Sequence, residues 1–441
     1  MRSLLARHRL LAAIAVLCIA VAARAHHDDD RGRDDRGHGH GNGGDWFSAW
    51  TISIGHRMGP AFTGANFAPN LTGLAIRMIV RPSISGDAVR VKIENTMATT
   101  PVVFSSAFIG VVDTGAALVS GSNRRLTFQG KSALTLAAGQ GATSDPVPFR
   151  VEAFRRLAVS LDVASATEVS GHQLGLTTNY IAPGAVGSDA SGKGFAPIAQ
   201  NNGNHPFYWV AAVDVRSGHA SGTIVTLGDS ITDGRCSTRL PDGTIPADQY
   251  NRWTDVLSTR LHALFGKRAP AVANQGIAGN RVVLPNGNGP SAVTRLDNDV
   301  LDRAGIRWVI FYEGTNDITG GATPAQLIAG LQQVIDRVHK KGIPIIGATV
   351  VPRGRPATVS GWTAEMEAVR LEVNHWMHTA ANFDGMIEWG ALLQGPIESA
   401  TMSESLWPGY NCSDYTHPNT AGYQAMGDFI DLGLFKNPSA W

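Results

Sequence analysis

Charge is scarce in this chain. Of its 441 residues 17% are charged, and 37 basic side chains nearly cancel 36 acidic ones, for a formal net charge of +1. A surface so balanced offers no field to nucleic acid or to an acidic partner, and neither is expected. Long apolar runs are missing as well. The run at 10–23 falls well short of the roughly 20 residues that cross a bilayer, so no stable membrane anchor is expected. No internal repeat is present, and cysteine is confined to three positions. What the chain does have is 43% apolar residues, 50 glycines and a mean hydropathy near zero. That composition describes a soluble globular protein rich in turns, long enough for two or three domains with a core in each.

Residues 1–25 read as an export signal. Arg2, Arg7 and Arg9 form a basic start, the apolar run follows, and Ala23-Arg24-Ala25 is a small-x-small cleavage site. Leu17 is too bulky for the position before a lipidated cysteine, so Cys18 is expected to leave with the leader, and the mature chain to be secreted or periplasmic. Residues 26–45 carry His, Asp, Arg and Gly with nothing apolar, and predict a disordered spacer. His26, His27, His38 and His40 are the one metal-like feature. Without a scaffold they read as a solvated tail, and no metal or organic cofactor is expected.

Residues 46–216 read as an all-β unit. Ala88-Val89-Arg90-Val91-Lys92-Ile93-Glu94 alternates apolar and polar, as a strand with one buried face does. The runs at 102–112, 125–128, 133–136, 147–153 and 157–163 follow suit, separated by Gly, Asn, Ser and Pro clusters, and together they predict a β-sandwich. Residues 182–204 predict a long surface loop, and 207–215 one more strand.

From 217 to 441 strands alternate with helices, as in a doubly wound α/β sheet. Thr323-Pro324 opens a helix with an N-cap and a first-turn proline. Leu327, Leu331, Val334, Ile335 and Val338 recur there at helical spacing, and Gly342 ends it. Residues 343–351 predict a buried strand, and 366–380 and 421–432 two further helices.

The chemistry-bearing stretch opens this half. Thr223-Ile224-Val225-Thr226-Leu227 runs into Gly228-Asp229-Ser230-Ile231-Thr232-Asp233-Gly234, a strand ending in a serine on a tight turn. A serine hydroxyl is a weak nucleophile that needs exposure, a nearby base and donors for an oxyanion. Gly-Asp-Ser alone is ordinary turn chemistry, so the partners decide. Three blocks follow in order: Asn274-Gln275-Gly276-Ile277-Ala278-Gly279, then Gly314-Thr315-Asn316-Asp317, then Asp414-Tyr415-Thr416-His417-Pro418. Singly, each member has a structural reading. His417 before Pro418 shapes a loop, Asn274 and Asp317 bond loop backbone, and Asp229 and Asp233 cap the short helix. Their ordered combination favours function.

With these four blocks the chain resembles the SGNH (GDSL-type) hydrolase family over about its last half. The resemblance implies a three-layer α/β/α domain with a parallel sheet over 217–441, and ester hydrolysis through an acyl-enzyme. It assigns Ser230 as nucleophile, His417 as base and then acid, and Asp414 as the group that orients the imidazole. The oxyanion donors it implies are the backbone N–H groups of Ser230 and Gly279 and the side-chain amide of Asn316. If these groups converge, Cys236 and Cys412 lie at one rim, where an exported protein can form a disulfide.

A β-sandwich ahead of such a domain is similar to carbohydrate esterases that remove acetyl groups. The expected substrate is therefore a small-molecule or polysaccharide ester, and the leading expectation a short-chain or carbohydrate acetyl esterase. Trp362, Trp389 and Trp407 offer flat faces to a sugar, although each taken singly reads first as core packing, with 407–410 expected at the pocket rim. Competing readings are a lipolytic esterase or lysophospholipase, an O-acyltransferase using the same residues, and a non-catalytic carbohydrate-binding protein. The lack of a long apolar lid counts against a triglyceride lipase, and the four intact blocks against the binding protein.

Overall fold

The computed structural model describes residues 44–200, 204–285, 288–354, 361–395 and 407–436. The expected leader, and all but the last two residues of the expected spacer, lie outside the described residues. Five parallel strands form the C-terminal sheet: β1 (Thr223–Gly228), β2 (Ala271–Gly276), β3 (Ile306–Tyr312), β4 (Ile345–Ala348) and β5 (Gly385–Ile387), in the order β2-β1-β3-β4-β5. Around them run α1 (Ser230–Asp233), α2 (Trp253–Phe265), α3 (Pro324–His339), α4 (Ala364–Thr379) and α5 (Thr420–Phe429).

The strands are apolar almost throughout because both faces are covered. Ile224, Ile310 and Ile346 pack with Leu257 of α2 and Tyr423 and Met426 of α5. Their neighbours Val225, Phe311 and Ile345 face the other way, onto Leu331 and Val334 of α3 and Val373 of α4. The result is the expected three-layer α/β/α arrangement. Helix α3 starts as its sequence predicts: Thr323 and Gln326 form a reciprocal capping box, with the Thr323 N–H donating to Gln326 Oε1 at 2.9 Å. Its buried face contributes more than its cap. Each fully buried aliphatic side chain is worth roughly 1.5–3 kcal/mol. Among the described residues no helix is long and apolar enough to cross a membrane.

The region before β1 is built of antiparallel sheets of five, seven and three strands. One apolar core joins the two larger sheets, with Val89, Val91 and Val213 from one meeting Met78, Phe104 and Leu161 from the other. Two expectations need correction. The stretch 182–204 is not all loop: Tyr180–Pro183 pairs with Leu74–Val80 and with Ala196–Pro197. Ile181 sits opposite Ile76, a pairing too short for the Gly- and Ser-rich sequence around it to betray. The expected strand at 207–215 is broken at Trp209, whose φ of +54° turns the chain from the three-stranded sheet (Phe207–Tyr208) into the five-stranded one (Val210–Ser217).

The antiparallel region closes one edge of the parallel sheet. Among the described residues β2 has no strand on its outer side, and side chains bond backbone groups there instead. Ser83 Oγ accepts from Val272 N at 3.0 Å, and Thr51 Oγ1 donates to Asn274 O at 2.9 Å.

Candidate active site

Ser230 opens α1 at the carboxyl end of β1, the strand at which the sheet order switches direction and where ligands bind in open α/β sheets. Asp229 caps the turn, accepting from Ile231 N at 2.9 Å. Gly234 ends it with φ +98°, and its N–H donates to Ser230 O at 2.9 Å. The serine is thus held on a single helical turn bounded by a carboxylate cap and a left-handed glycine.

His417 arrives on the loop before α5, and that loop is tightly self-bonded. Asn411 Oδ1 accepts from Ser413 N at 2.9 Å and Tyr415 N at 3.1 Å. Both donors have positive φ, of 74° and 56°, which non-glycine residues adopt at a cost of about 1–3 kcal/mol each. Between them, Asp414 Oδ1 accepts from Thr416 N and His417 N at 2.9 and 2.8 Å. The other oxygen, Oδ2, lies 2.6 Å from His417 Nδ1, and His417 Nε2 lies 2.8 Å from Ser230 Oγ. A hydroxyl bonded to an imidazole that a carboxylate orients is an arrangement able to generate a nucleophile.

Gly279 and Asn316 line the same groove as Ser230 and His417, a cleft of about 650 Å³. Gly279 has φ +78°, a left-handed conformation that favours glycine, and a Cβ there would require the Asn288 side-chain amide to move. Asn316 donates one amide hydrogen to Asn280 O at 2.9 Å, which fixes the plane of its side chain. Asp317 and Asn274 act on backbone, as expected. Asp317 accepts from Val282, Val283 and Val283's neighbour Leu284 at 2.7, 3.1 and 3.2 Å, tying the loop after Gly279 to the Asn316 turn. Asn274 donates to Thr232 O and accepts from Gly276 N.

Burial lowers the His417 pKa below its ordinary 6.5; Asp414 opposes that shift, and the positive charges of Arg353 and Arg235 reinforce it. Burial by itself would raise Asp414, but the bond and charge of His417 and two backbone N–H groups outweigh it and hold the carboxyl well below the usual range. Asp229, buried at the foot of α1, is pushed up to about 7.

Other residues differ from their sequence readings. Asp233 does not cap α1. Its Oδ1 lies 3.0 Å from His172 Nε2 and its Oδ2 accepts from Ala278 N at 2.9 Å, so it bridges the antiparallel region and the Gly279 loop. Trp389 is buried against Trp253, and Trp362 is buried with its N–H on Glu367, which is the core packing expected of each singly rather than a face for sugar. Trp407 is 51% exposed, but neither it nor 408–410 lines the groove. Instead the antiparallel region supplies the facing wall, with Asn66, Gln173 and Asn204.

Arg295 carried no signal in the sequence. Its buried guanidinium donates to Gly228 O at 3.0 Å, Gln275 O at 2.7 Å and Asn280 Oδ1 at 2.9 Å, joining the backbone before Ser230 to that flanking Gly279. Asp299 neutralises it at 3.0 Å.

Cys236 and Cys412 form a disulfide with Cα atoms 6.3 Å apart. Their sulfurs lie with Asp414 and His417 in a cluster of atoms within 4.8 Å of one another. As metal ligands the set does not fit: the sulfurs are bonded to each other, and both imidazole nitrogens are engaged by Ser230 and Asp414.

Residues 226–425 match the model of the GDSL-like lipase/acylhydrolase family. No curated protein matches the chain. Solved structures similar to it include a putative lipolytic protein of the G-D-S-L family from Desulfitobacterium hafniense, 18% identical over 47% of this chain and 97% of the other, with a TM-score of 0.34. A carbohydrate acetylesterase family member from Sinorhizobium meliloti is 16% identical over 48% of this chain and 97% of its own, with a TM-score of 0.36. The native aryl esterase of M. smegmatis is 18% identical over 47% and 95%, with a TM-score of 0.34. With the four sequence blocks gathered at one end of a parallel sheet, residues 226–425 form a GDSL-like lipase/acylhydrolase domain.

Proposed function

We propose that this protein is an exported serine esterase that hydrolyses short-chain or carbohydrate acetyl esters. The observation that carries the reading is the continuous contact from Ser230 Oγ through His417 to Asp414, at 2.8 and 2.6 Å. Ser230 Oγ attacks the ester carbonyl carbon as its proton passes to His417 Nε2. The negative oxygen is met by the N–H groups of Ser230 and Gly279 and by the Asn316 amide. Collapse of the intermediate breaks the bond to the alcohol, which leaves with the proton from His417. Water then repeats the sequence on the acyl-enzyme, releasing the acid.

The polar lining of the groove supports a hydroxylated substrate, since Asn66, Gln173, Asn204 and Asn288 can each hydrogen-bond a sugar. The disulfide fits an oxidising compartment and so supports export. The test is a panel of p-nitrophenyl esters from acetate to palmitate beside acetylated xylan and pectin, with wild type and Ser230→Ala. The reading expects preference for acetate and complete loss in the variant. Turnover surviving Ser230→Ala would remove the nucleophile, and activity on long chains alone would make the enzyme lipolytic.

A further inference from the structure

Next to the groove lies a second cavity of about 610 Å³, lined by the antiparallel region. Where the groove is polar this cavity is apolar, with walls from Phe62, Phe67, Ile181, Ile198 and Tyr208. The two share Thr63, Ala65 and Asn204, so they adjoin along a common wall. Phe67 leaves 45% of its surface open, apolar area that gains by being covered. The volume is that of a site for a small ligand.

Asn204 indicates which end of an ester reaches the shared wall. Its Oδ1 accepts from Arg235 Nη1 at 3.4 Å, and both residues line the groove together with His417. His417 is the group that returns a proton to the departing alcohol, so the wall stands on the alcohol side of the scissile bond. We propose that the cavity binds the apolar portion of that alcohol, the alkyl or aryl aglycone of an acylated glycoside whose sugar occupies the polar groove. The assignment rests on the esterase reading above, and it adds a substrate class: amphiphilic alcohols.

Two experiments on the full chain test it. In the first, kcat/KM is measured for ethyl, butyl and hexyl acetate, and for ethyl butyrate and ethyl hexanoate. A fully buried methylene is worth about fourfold, so hexyl acetate should exceed ethyl acetate by about tenfold or more even with partial burial. Ile181→Trp fills the cavity, and Phe67→Ala removes an exposed wall without touching the core. Both should bring the hexyl-to-ethyl ratio close to one. A wild-type ratio near one, a ratio unchanged in both variants, or length dependence along the acyl series alone overturns the proposal.

The second experiment needs no turnover. Calorimetry of Ser230→Ala with octyl glucoside, below its micellar concentration, should give one site that Ile181→Trp abolishes. Binding that the filled cavity leaves intact overturns the assignment. If no ester is hydrolysed yet this binding holds, the esterase reading fails and the cavity stands. If acetate esters turn over without length preference or binding, the reverse is true.

Discussion

His172 and Asp233 meet where the antiparallel region touches the nucleophile turn: Nε2 and Oδ1 are 3.0 Å apart, and both side chains are buried. The other imidazole nitrogen lies 2.9 Å from Ser53 O, and the other carboxylate oxygen accepts from Ala278 N. One pair thus connects the antiparallel region, the turn that carries Ser230 and the loop that carries Gly279. The N-terminal half is part of the site's foundation as well as its wall.

His172→Ala should therefore cost both stability and rate. A buried carboxylate oxygen stripped of its partner costs about 1–3 kcal/mol, read as a lower Tm. Displacement of the turn or of the Gly279 loop by about 1 Å can reduce turnover by about 10²-fold, so kcat should fall further than KM rises. His172→Gln, which keeps a polar group near Asp233, should recover part of kcat. A variant that melts earlier but turns over normally would confine His172 to a structural part.

The pH profile follows from the charges around His417. In the proposed mechanism the base must be neutral to accept the Ser230 proton, so kcat/KM should fall as pH drops through its pKa. Burial, with Arg353 and Arg235, holds that pKa below 6.5, and the acid limb should have its midpoint below that value. Arg235→Gln removes one of the opposing charges and should move the limb to higher pH. An acid limb that stays in place in the variant would mean that Arg235 does not act on the titrating group.

Much of this site could be read from sequence because its members sit at ends of elements that local rules specify. Gly234 in the left-handed region, Asp229 on the cap and Thr323 opening α3 all follow from the residue and its immediate neighbours. The groups that hold the site in place could not be read that way. His172 and Asp233 are 61 positions apart, and Arg295 is an ordinary basic residue on a short helix until the fold brings Gly228 and Asn280 to it. Their meaning is purely tertiary. Trp407 shows the reverse: nearness in sequence to Asp414 suggested a place in the groove, but the self-bonded 411–417 loop turns its own contacts inward.

The disulfide should matter to both stability and turnover. It links residues 176 apart, and closing so long a loop typically stabilises by about 2–4 kcal/mol. Cys412 N also donates to His417 O at 3.1 Å, so the bridge anchors the loop that fixes the imidazole. Reductant should lower the Tm and kcat of the wild type, while the Cys236→Ser/Cys412→Ser double variant should start lower on both and ignore reductant. A reduced wild type with full kcat would show that the loop's own hydrogen bonds suffice to position His417.

Asp229 makes a prediction of opposite sign to an ordinary paired carboxylate. Burial raises its pKa from 3.8 to about 7, helped by Asp317 and Asp233 and opposed by the Ile231 N–H and Arg353. Between those two values the folded chain keeps a proton that the unfolded chain has lost, so stability falls as pH rises through this window and levels off above it. Asp229→Asn keeps the acceptor for Ile231 N and removes the titration. Its amide inherits the position of Oδ2, which has no hydrogen-bond partner among the described residues, and that costs about 1–3 kcal/mol at every pH. The readout is therefore the change in stability between pH 4 and pH 8. Wild type should lose on the order of a few kcal/mol more than the variant across that interval. Parallel losses in the two proteins would show that Asp229 is ionised in the fold, with Arg353 as its counter-charge.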